Sequence, residues 1–176
     1  MEFSEVVLQR RSIRRFKDKK IPYSNILSLL DCARLCQSAN NRQPWIFKIA
    51  EGAEKEKIHG MLLKRAEQTD NFPAKESAKI IENASALILI FKKKDNENLV
   101  SDLLSIGAAM EHICLRAVDL GLGSVCIGDL RIICEGICKS YLFEDTELVI
   151  SIAIGYPNEF PQPRKRKSLE DILILP

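Results

Sequence analysis

Two short stretches of this 176-residue chain carry side chains suited to holding a phosphate or a polar ring. The first, Arg10-Arg11-Ser12-Ile13-Arg14, follows directly on a short apolar segment. Guanidinium forks match phosphate oxygens in pairs, and a serine hydroxyl adds a further hydrogen bond. The same cluster would also serve as a solvated basic helix end, since cations favour the C-terminal end of a helix dipole. The second stretch is Ser38-Ala39-Asn40-Asn41-Arg42-Gln43-Pro44-Trp45. Its polar side chains Ser38, Asn41 and Gln43 could face a ring or a phosphate. Read as structure alone it is a turn, because asparagine tolerates left-handed backbone angles and Pro44 stiffens the strand entry. Trp45 reads as core rather than as a stacking platform. A basic run near the C-terminus, Arg164-Lys165-Arg166-Lys167, is too short and isolated for a nucleic-acid arm but adequate to close over one phosphate.

Other chemistries find less support. Gly121-Leu122-Gly123-Ser124 lacks a third glycine and ends a helix instead of opening one, so it fails the test for a dinucleotide loop. Gly128 follows an apolar strand, where a missing side chain lets backbone approach a ring. His59 and His112 have no neighbouring serine or cysteine in sequence and read as structural. The six cysteines, Cys32, Cys36, Cys114, Cys126, Cys134 and Cys138, read as reduced, small hydrophobes. Cys32 with Cys36 and Cys134 with Cys138 have helical spacing and could share a face, yet no histidine or CxxC completes a metal set. Cys126 precedes Gly128 at an expected pocket edge and reads as a buried, inert thiol.

These residues need elements to position them. A first helix, capped by Ser4, ends at Arg10, and a second opens after Pro22 with Ser24 as its cap. Ile26, Leu27, Leu30 and Ala33 form its apolar face. Residues 37–44 are a loop and 45–49 a strand. A helix over 54–68 sets Ile58, Met61, Leu62 and Arg65 along one side. The run 86–91 is apolar throughout, as for a strand covered on both faces, and Lys92-Lys93-Lys94-Asp95 should end it in solvent. The longest helix, over 99–120, repeats Leu103, Ile106, Met110, Ile113 and Ala117, with Gly107-Ala108-Ala109 open to close approach. A strand at 124–127, a turn at Gly128-Asp129, a short helix carrying Leu130, Ile133 and Ile137, and a buried strand at 148–154 complete the pattern. The tail has no core of its own and is expected to pack elsewhere, on a second copy.

The bulk properties bound the class. A composition of 46% hydrophobic and 28% charged residues marks a single globular domain, and a net charge of +2 is too small for a nucleic-acid surface. The longest apolar run falls far short of the ~20 residues that span a bilayer, and the acidic start lacks a signal-peptide pattern. The expected location is the cytoplasm, with no membrane and no nucleic acid as partner.

Taken in order, the segments resemble the nitroreductase family. Arg10 through Phe16 resembles its Arg-Arg-Ser-x-Arg-x-Phe motif, and Ala33-Arg34-Leu35 through Pro44-Trp45 resembles its second motif. Gly107-Ala108-Ala109 with Gly121-Leu122-Gly123-Ser124-Val125 is similar to its central helix and turn, and Gly155-Tyr156-Pro157 with the basic tail to its ending.

The resemblance implies an α+β, three-layer fold, one domain over residues 1–176, with a central mixed β-sheet flanked by helices. The tail, 155–176, would be exchanged in a homodimer. It implies FMN at the subunit interface and NADH or NADPH as co-substrate, with hydride equivalents passed to nitroaromatics, quinones or other electron-poor acceptors. A flavin-binding store or sensor with little turnover is the alternative. Arg10 and Ser12 would contact the FMN phosphate and ribityl chain, with Arg11 nearby, and Arg14 would approach the ring and tune its charge. Ser38 and Asn41 would serve FMN held mainly by the other subunit. Backbone at Ile127 and Gly128 would lie near the reactive ring nitrogen, and Arg164 and Arg166 would complete the clamp. No catalytic side chain and no metal is expected, because the flavin carries the chemistry. Gln37, Asn40 and Cys126 stand where the family often has proline, glycine, and tryptophan or proline, so the loop should take a different path and the pocket beside the ring a different shape. The short span between Ile49 and Asn83 implies an open or partner-covered site.

Overall fold

The computed structural model describes residues 1–94, 97–141, 143 and 145–174. In chain order the elements are α1 (Phe3–Gln9), α2 (Tyr23–Arg34), β1 (Ile46–Ala50), α3 (Gly52–Gln68), α4 (Phe72–Asn83), β2 (Ala86–Lys93), α5 (Leu99–Asp119), β3 (Gly123–Ile127), α6 (Cys134–Ser140) and β4 (Thr146–Gly155). Short 3₁₀ turns lie at Ala39–Asn41 and Asp129–Ile133.

The strands form one sheet in the order β1-β2-β4-β3. Its β2 strand alternates faces, as a period of two requires. Leu87, Leu89 and Phe91 pack with α3, α4 and the α6 region, while Ala86, Ile88 and Ile90 pack with α2 and α5. The result is the expected three-layer α+β fold with an apolar core on each side of the sheet.

The sheet is antiparallel, not mixed: each strand pair is antiparallel. The parallel pairing present is the isolated bridge between Ser12 and Ser124. Connectivity explains the difference. Between β1 and β2 the chain makes two helical passes, α3 and α4, and so returns to the end of the sheet it left. The single crossover helix α5 makes β2 and β3 run the same way, but β4 inserts between them and pairs with both.

Helix α4 has little signal in the sequence. Its buried face is Ala74, Ser77, Ala78 and Ile81, mostly small residues. Its start is nonetheless written in the chain: Asn71 Oδ1 accepts from the Ala74 N–H at 3.0 Å, with proline in the first turn. Lys55 of α3 binds the far end of α4, its buried Nζ donating to the Ile81 and Glu82 carbonyls at 3.1 and 2.7 Å. Two helices, α3 and α4, therefore occupy the span in which the sequence pattern shows one.

Smaller corrections follow from packing. Ser4 and Ser24 are not caps; Glu2 and Pro22 hold those positions. Helix α2 buries Leu29 rather than Leu27, which is exposed, and α3 buries Lys55 and Ala66 rather than Arg65. Leu103 of α5 is likewise exposed, whereas Ser105 and Cys114 face inward. Strand β2 does not reach solvent at Lys92. That residue is 1% exposed, its Nζ paired with Glu147 at 2.8 Å and donating to the Lys93 carbonyl; Asp95 lies outside the described residues. Trp45 is core, stacked on Phe47 with ring centroids 6.3 Å apart.

The segment between α1 and α2 is fixed by two side chains set into glycine gaps. Ile13 donates its N–H to the Ser124 carbonyl at 3.0 Å, and a β-carbon on Gly123 would meet its side chain at 2.8 Å. Three residues on, Phe16 bridges to Pro157, and a β-carbon on Gly155 would meet its ring at 2.8 Å. Lys17 then donates to the Tyr156 carbonyl at 2.8 Å. The glycines that end β4 and begin β3 are thus seats for Ile13 and Phe16.

Overfilling such a seat should cost about 1–3 kcal/mol. We expect Gly155→Ala to lower stability by that amount in urea unfolding, because the methyl group meets an aromatic ring held in the core. Gly128→Ala, where nothing lies within 4 Å of the added carbon, should change it little. Equal stabilities for the two variants would mean that Phe16 is not lodged against Gly155.

Candidate functional site

Because Ile13 and Phe16 point into the protein, the residues between and before them point out. Arg10, Arg11, Ser12 and Arg14 line one side of a cleft of about 550 Å³, and Pro161, Gln162, Pro163, Arg164 and Arg166 line the other. The structure therefore brings both basic clusters, more than 140 positions apart in sequence, to one place. The guanidiniums are not idle. Arg10 pairs with Glu111 of α5 at 3.5 Å, and Arg11 donates to the carbonyls of Leu8 and Arg10, both at 2.7 Å. Arg14 turns its side chain back to the Ser12 carbonyl at 3.3 Å, while its backbone N–H donates to Glu159 Oε1 at 2.5 Å. Glu159 carried no signal in the sequence; its role here is to hold the tail against the arginine segment.

Arg14 also belongs to a second cleft, of about 690 Å³, lined by Val125, Cys126, Ile127, Gly128 and Asp129 on one side and by α4 on the other. Ser77 of α4 donates to Asp129 Oδ2 at 2.5 Å, which ties the helix to the turn after β3. Gly128 has an ordinary helical backbone angle, φ −86, and a β-carbon added there would have nothing within 4 Å. The fold does not require glycine at this position. Cys126 proves to be exposed, not buried as expected, because β3 is an edge strand and its side chain emerges beside this cleft.

Ser38 and Asn41 are not brought to these clefts. Ser38 lines a separate hollow of about 310 Å³ with Gln37, Ala39 and, from α5, Ser101, Leu104, Ser105 and Ala108. Its hydroxyl accepts from the Gln43 N–H at 3.0 Å. The loop is held tightly: Arg42 pairs with Asp102 of α5 at 2.9 Å, and the Ala39 N–H donates to Ser105 Oγ at 3.3 Å. Asn40, Asn41 and Gln43 have φ of 52, 54 and 49, the left-handed region that asparagine enters more readily than most residues. Asn40 thus adopts a conformation open to the glycine that often stands there. Three left-handed residues within four positions store strain that a turn alone does not need.

Neither histidine lines these clefts. His59 lies 4.0 Å from Glu56, and His112 contacts the Cys32 carbonyl at 3.0 Å. Cys36 lies beyond the end of α2, so it does not share a helix with Cys32. Cys134 and Cys138 do share α6, with sulfurs 3.6 Å apart. Among the described residues, no group of three or more His, Cys, Asp or Glu could hold a metal ion, and no helix is long and apolar enough to cross a membrane.

Comparison with known proteins places the chain in a family. The model of the Nitroreductase family matches residues 7–156. A protein of Archaeoglobus fulgidus with the provisional name NADH dehydrogenase/NAD(P)H nitroreductase is 32% identical over 129 residues, covering 72% of this chain and 67% of its own. Among solved structures, a provisional nitroreductase from Desulfovibrio desulfuricans in complex with FMN superposes with a TM-score of 0.84 at 23% identity, covering 100% of this chain and 98% of that one. The FMN-dependent nitroreductase NfnB of Mycobacterium smegmatis in complex with NADPH gives 0.84 at 15% identity, covering 99% and 98%. At those identities the structural likeness is one of fold, but the family match spans most of the sequence: the chain belongs to the nitroreductase family.

Proposed function

We propose that this chain is an FMN-dependent oxidoreductase, which takes hydride equivalents from NADH or NADPH and passes them to electron-poor acceptors such as nitroaromatics or quinones, working as a homodimer. The observation that carries the reading is the convergence of Arg10, Arg11, Ser12 and Arg14 with Arg164 and Arg166 on one cleft. A phosphate monoester needs cationic forks and a hydroxyl on several sides, and this donor set supplies both. The adjoining cleft, sharing Arg14 and floored by Ile127 and Gly128, has the open backbone that a flat ring needs. The residues present therefore fit FMN.

Bound there, FMN would supply two-electron chemistry, and the protein supplies position and charge. Arg10 and Ser12 would hold the phosphate, with Arg11 nearby, and Arg164 with Arg166 would close over it. Arg14, which lines both clefts, would set positive charge beside the ring. Glu111 limits the charge that Arg10 contributes, and Glu159 fixes where Arg14 begins. No side chain is assigned a proton-transfer role.

Two features support a homodimer. Val100, Leu103, Leu104, Gly107 and Ala108 recur along one face of α5 at helical spacing; Val100 and Leu104 are 72% and 71% exposed, and among the described residues beyond that stretch of the helix nothing lies within 4 Å of a β-carbon on Gly107. Further on, the tail leaves Leu169, Ile172, Leu173 and Ile174 uncovered, the last 96% exposed. A second copy that covers the α5 face and receives the tail would set Ser38 and Asn41 of one protomer at the FMN of the other.

The direct test is anaerobic titration of FMN-loaded protein with each reduced nicotinamide. The flavin absorbance should bleach on mixing and return on addition of a quinone. Retained flavin that neither nicotinamide reduces would support a store or sensor instead. Arg10→Ala removes a charge-assisted contact of about 1.5–3 kcal/mol, so FMN should bind at least tenfold more weakly in a fluorescence titration; unchanged affinity defeats the assignment. Sharing between protomers has its own test, using mixed dimers of an R10A chain with an S38A/N41A chain. If the site is shared, one of the two sites is intact and FMN binds at half the normal stoichiometry; if each protomer builds its own site, none is intact.

A further inference from the structure

The cysteine at the edge of the sheet does not stand alone. Cys126 Sγ lies 3.9 Å from Cys114 Sγ, within sulfur hydrogen-bond distance. Cys114 is buried on α5 at the face that packs on β3, and Cys126 is exposed on β3 beside the Gly128 cleft. One sulfur is thus reachable from solvent and the other waits directly behind it. We infer that Cys114 and Cys126 form a redox-active dithiol, which closes to an intramolecular disulfide when a hydroperoxide oxidises the exposed thiol.

The geometry requires little movement. A disulfide needs its sulfurs ~2 Å apart, and rotation of an exposed side chain on an edge strand with one neighbouring strand can supply the approach. The surroundings favour an anion. The Cys114 thiol is held below its ordinary value by the hydrogen bond from Cys126 and by that from the Ser124 hydroxyl, against the effect of burial, with Arg10 favouring and Glu111 opposing the charge. Cys126 is held above its ordinary value, first by its hydrogen bond to Cys114 and then by burial. The contact between the two sulfurs gives the Cys126 proton a path to Cys114 as the outer sulfur reacts.

The steps balance with hydrogen peroxide as oxidant. Cys126 sulfur attacks one oxygen, an S–O bond forms, the O–O bond breaks, and the leaving hydroxide departs as water with the thiol proton. Cys114 sulfur then attacks Cys126 sulfur, an S–S bond forms, the S–O bond breaks, and a second water leaves with the remaining proton. Two thiols lose two electrons and the peroxide gains them.

The pair on α6 is the internal comparison. Cys134 and Cys138 are 3.6 Å apart, but Cys134 Sγ accepts from the Leu148 N–H at 3.1 Å, and Cys138 is buried against Thr146. Neither sulfur stands open to solvent as Cys126 does.

The test uses the full chain, with and without added FMN, treated with one equivalent of hydrogen peroxide. Remaining thiols are alkylated, and the protein is mapped by non-reducing peptide mass spectrometry. Two of the six thiols should be lost, recovered in a Cys114–Cys126 cross-linked peptide that dithiothreitol releases. In C114S the reaction should stop at a sulfenic acid on Cys126, trapped by dimedone. Full alkylation of both Cys114 and Cys126 after treatment in both states, or a Cys134–Cys138 bridge in their place, overturns the inference without depending on any variant.

Discussion

The insertion of Ile13 and Phe16 into the gaps above Gly123 and Gly155 is the contact on which the rest of the site depends. It binds a segment without regular structure to the ends of β3 and β4, and β3 also lines the second cleft. With those side chains seated, the intervening arginines have one direction to face. The tail follows Gly155 immediately, so the same seat aligns Asn158 with the Arg15 carbonyl and Glu159 with Arg14. Proximity of the chain's two ends is thus a product of core packing. The like charges gathered there would repel one another, and packing overcomes that repulsion.

Much of this was legible in the residues themselves. Both basic clusters, the polar loop and the two buried strands announced themselves through residue type and period. So did the third motif, Gly121-Leu122-Gly123, although its meaning differs from a phosphate loop: Gly121 takes a left-handed turn with φ 71, and Gly123 makes room for Ile13. What escaped was signalled by small or polar side chains. Helix α4 hides its inner face in alanine and serine. The burial of Lys55 and Lys92 could not be read from local pattern, because each is stabilised by groups 26 and 55 positions away, the Ile81 carbonyl and Glu147. The exposure of Cys126 depended on the strand order, which sends β3 to an edge.

The loop from Ser38 to Pro44 shows where local preference and tertiary demand meet. Asparagine permits the left-handed angles, but the Arg42–Asp102 pair and the bond from Ala39 to Ser105 are what hold them against α5. Its hollow shares no lining residue with the arginine cleft. A chain meeting its own copy along α5 would present that loop to a neighbour.

Gly128 has a wider consequence. Its backbone is ordinary and a β-carbon built there meets nothing within 4 Å, so the fold does not need glycine at this position, yet it lines the cleft where β3 ends. Selection acting there is released from the demands of folding: a bulkier residue would reshape what enters the crevice while leaving the scaffold untouched.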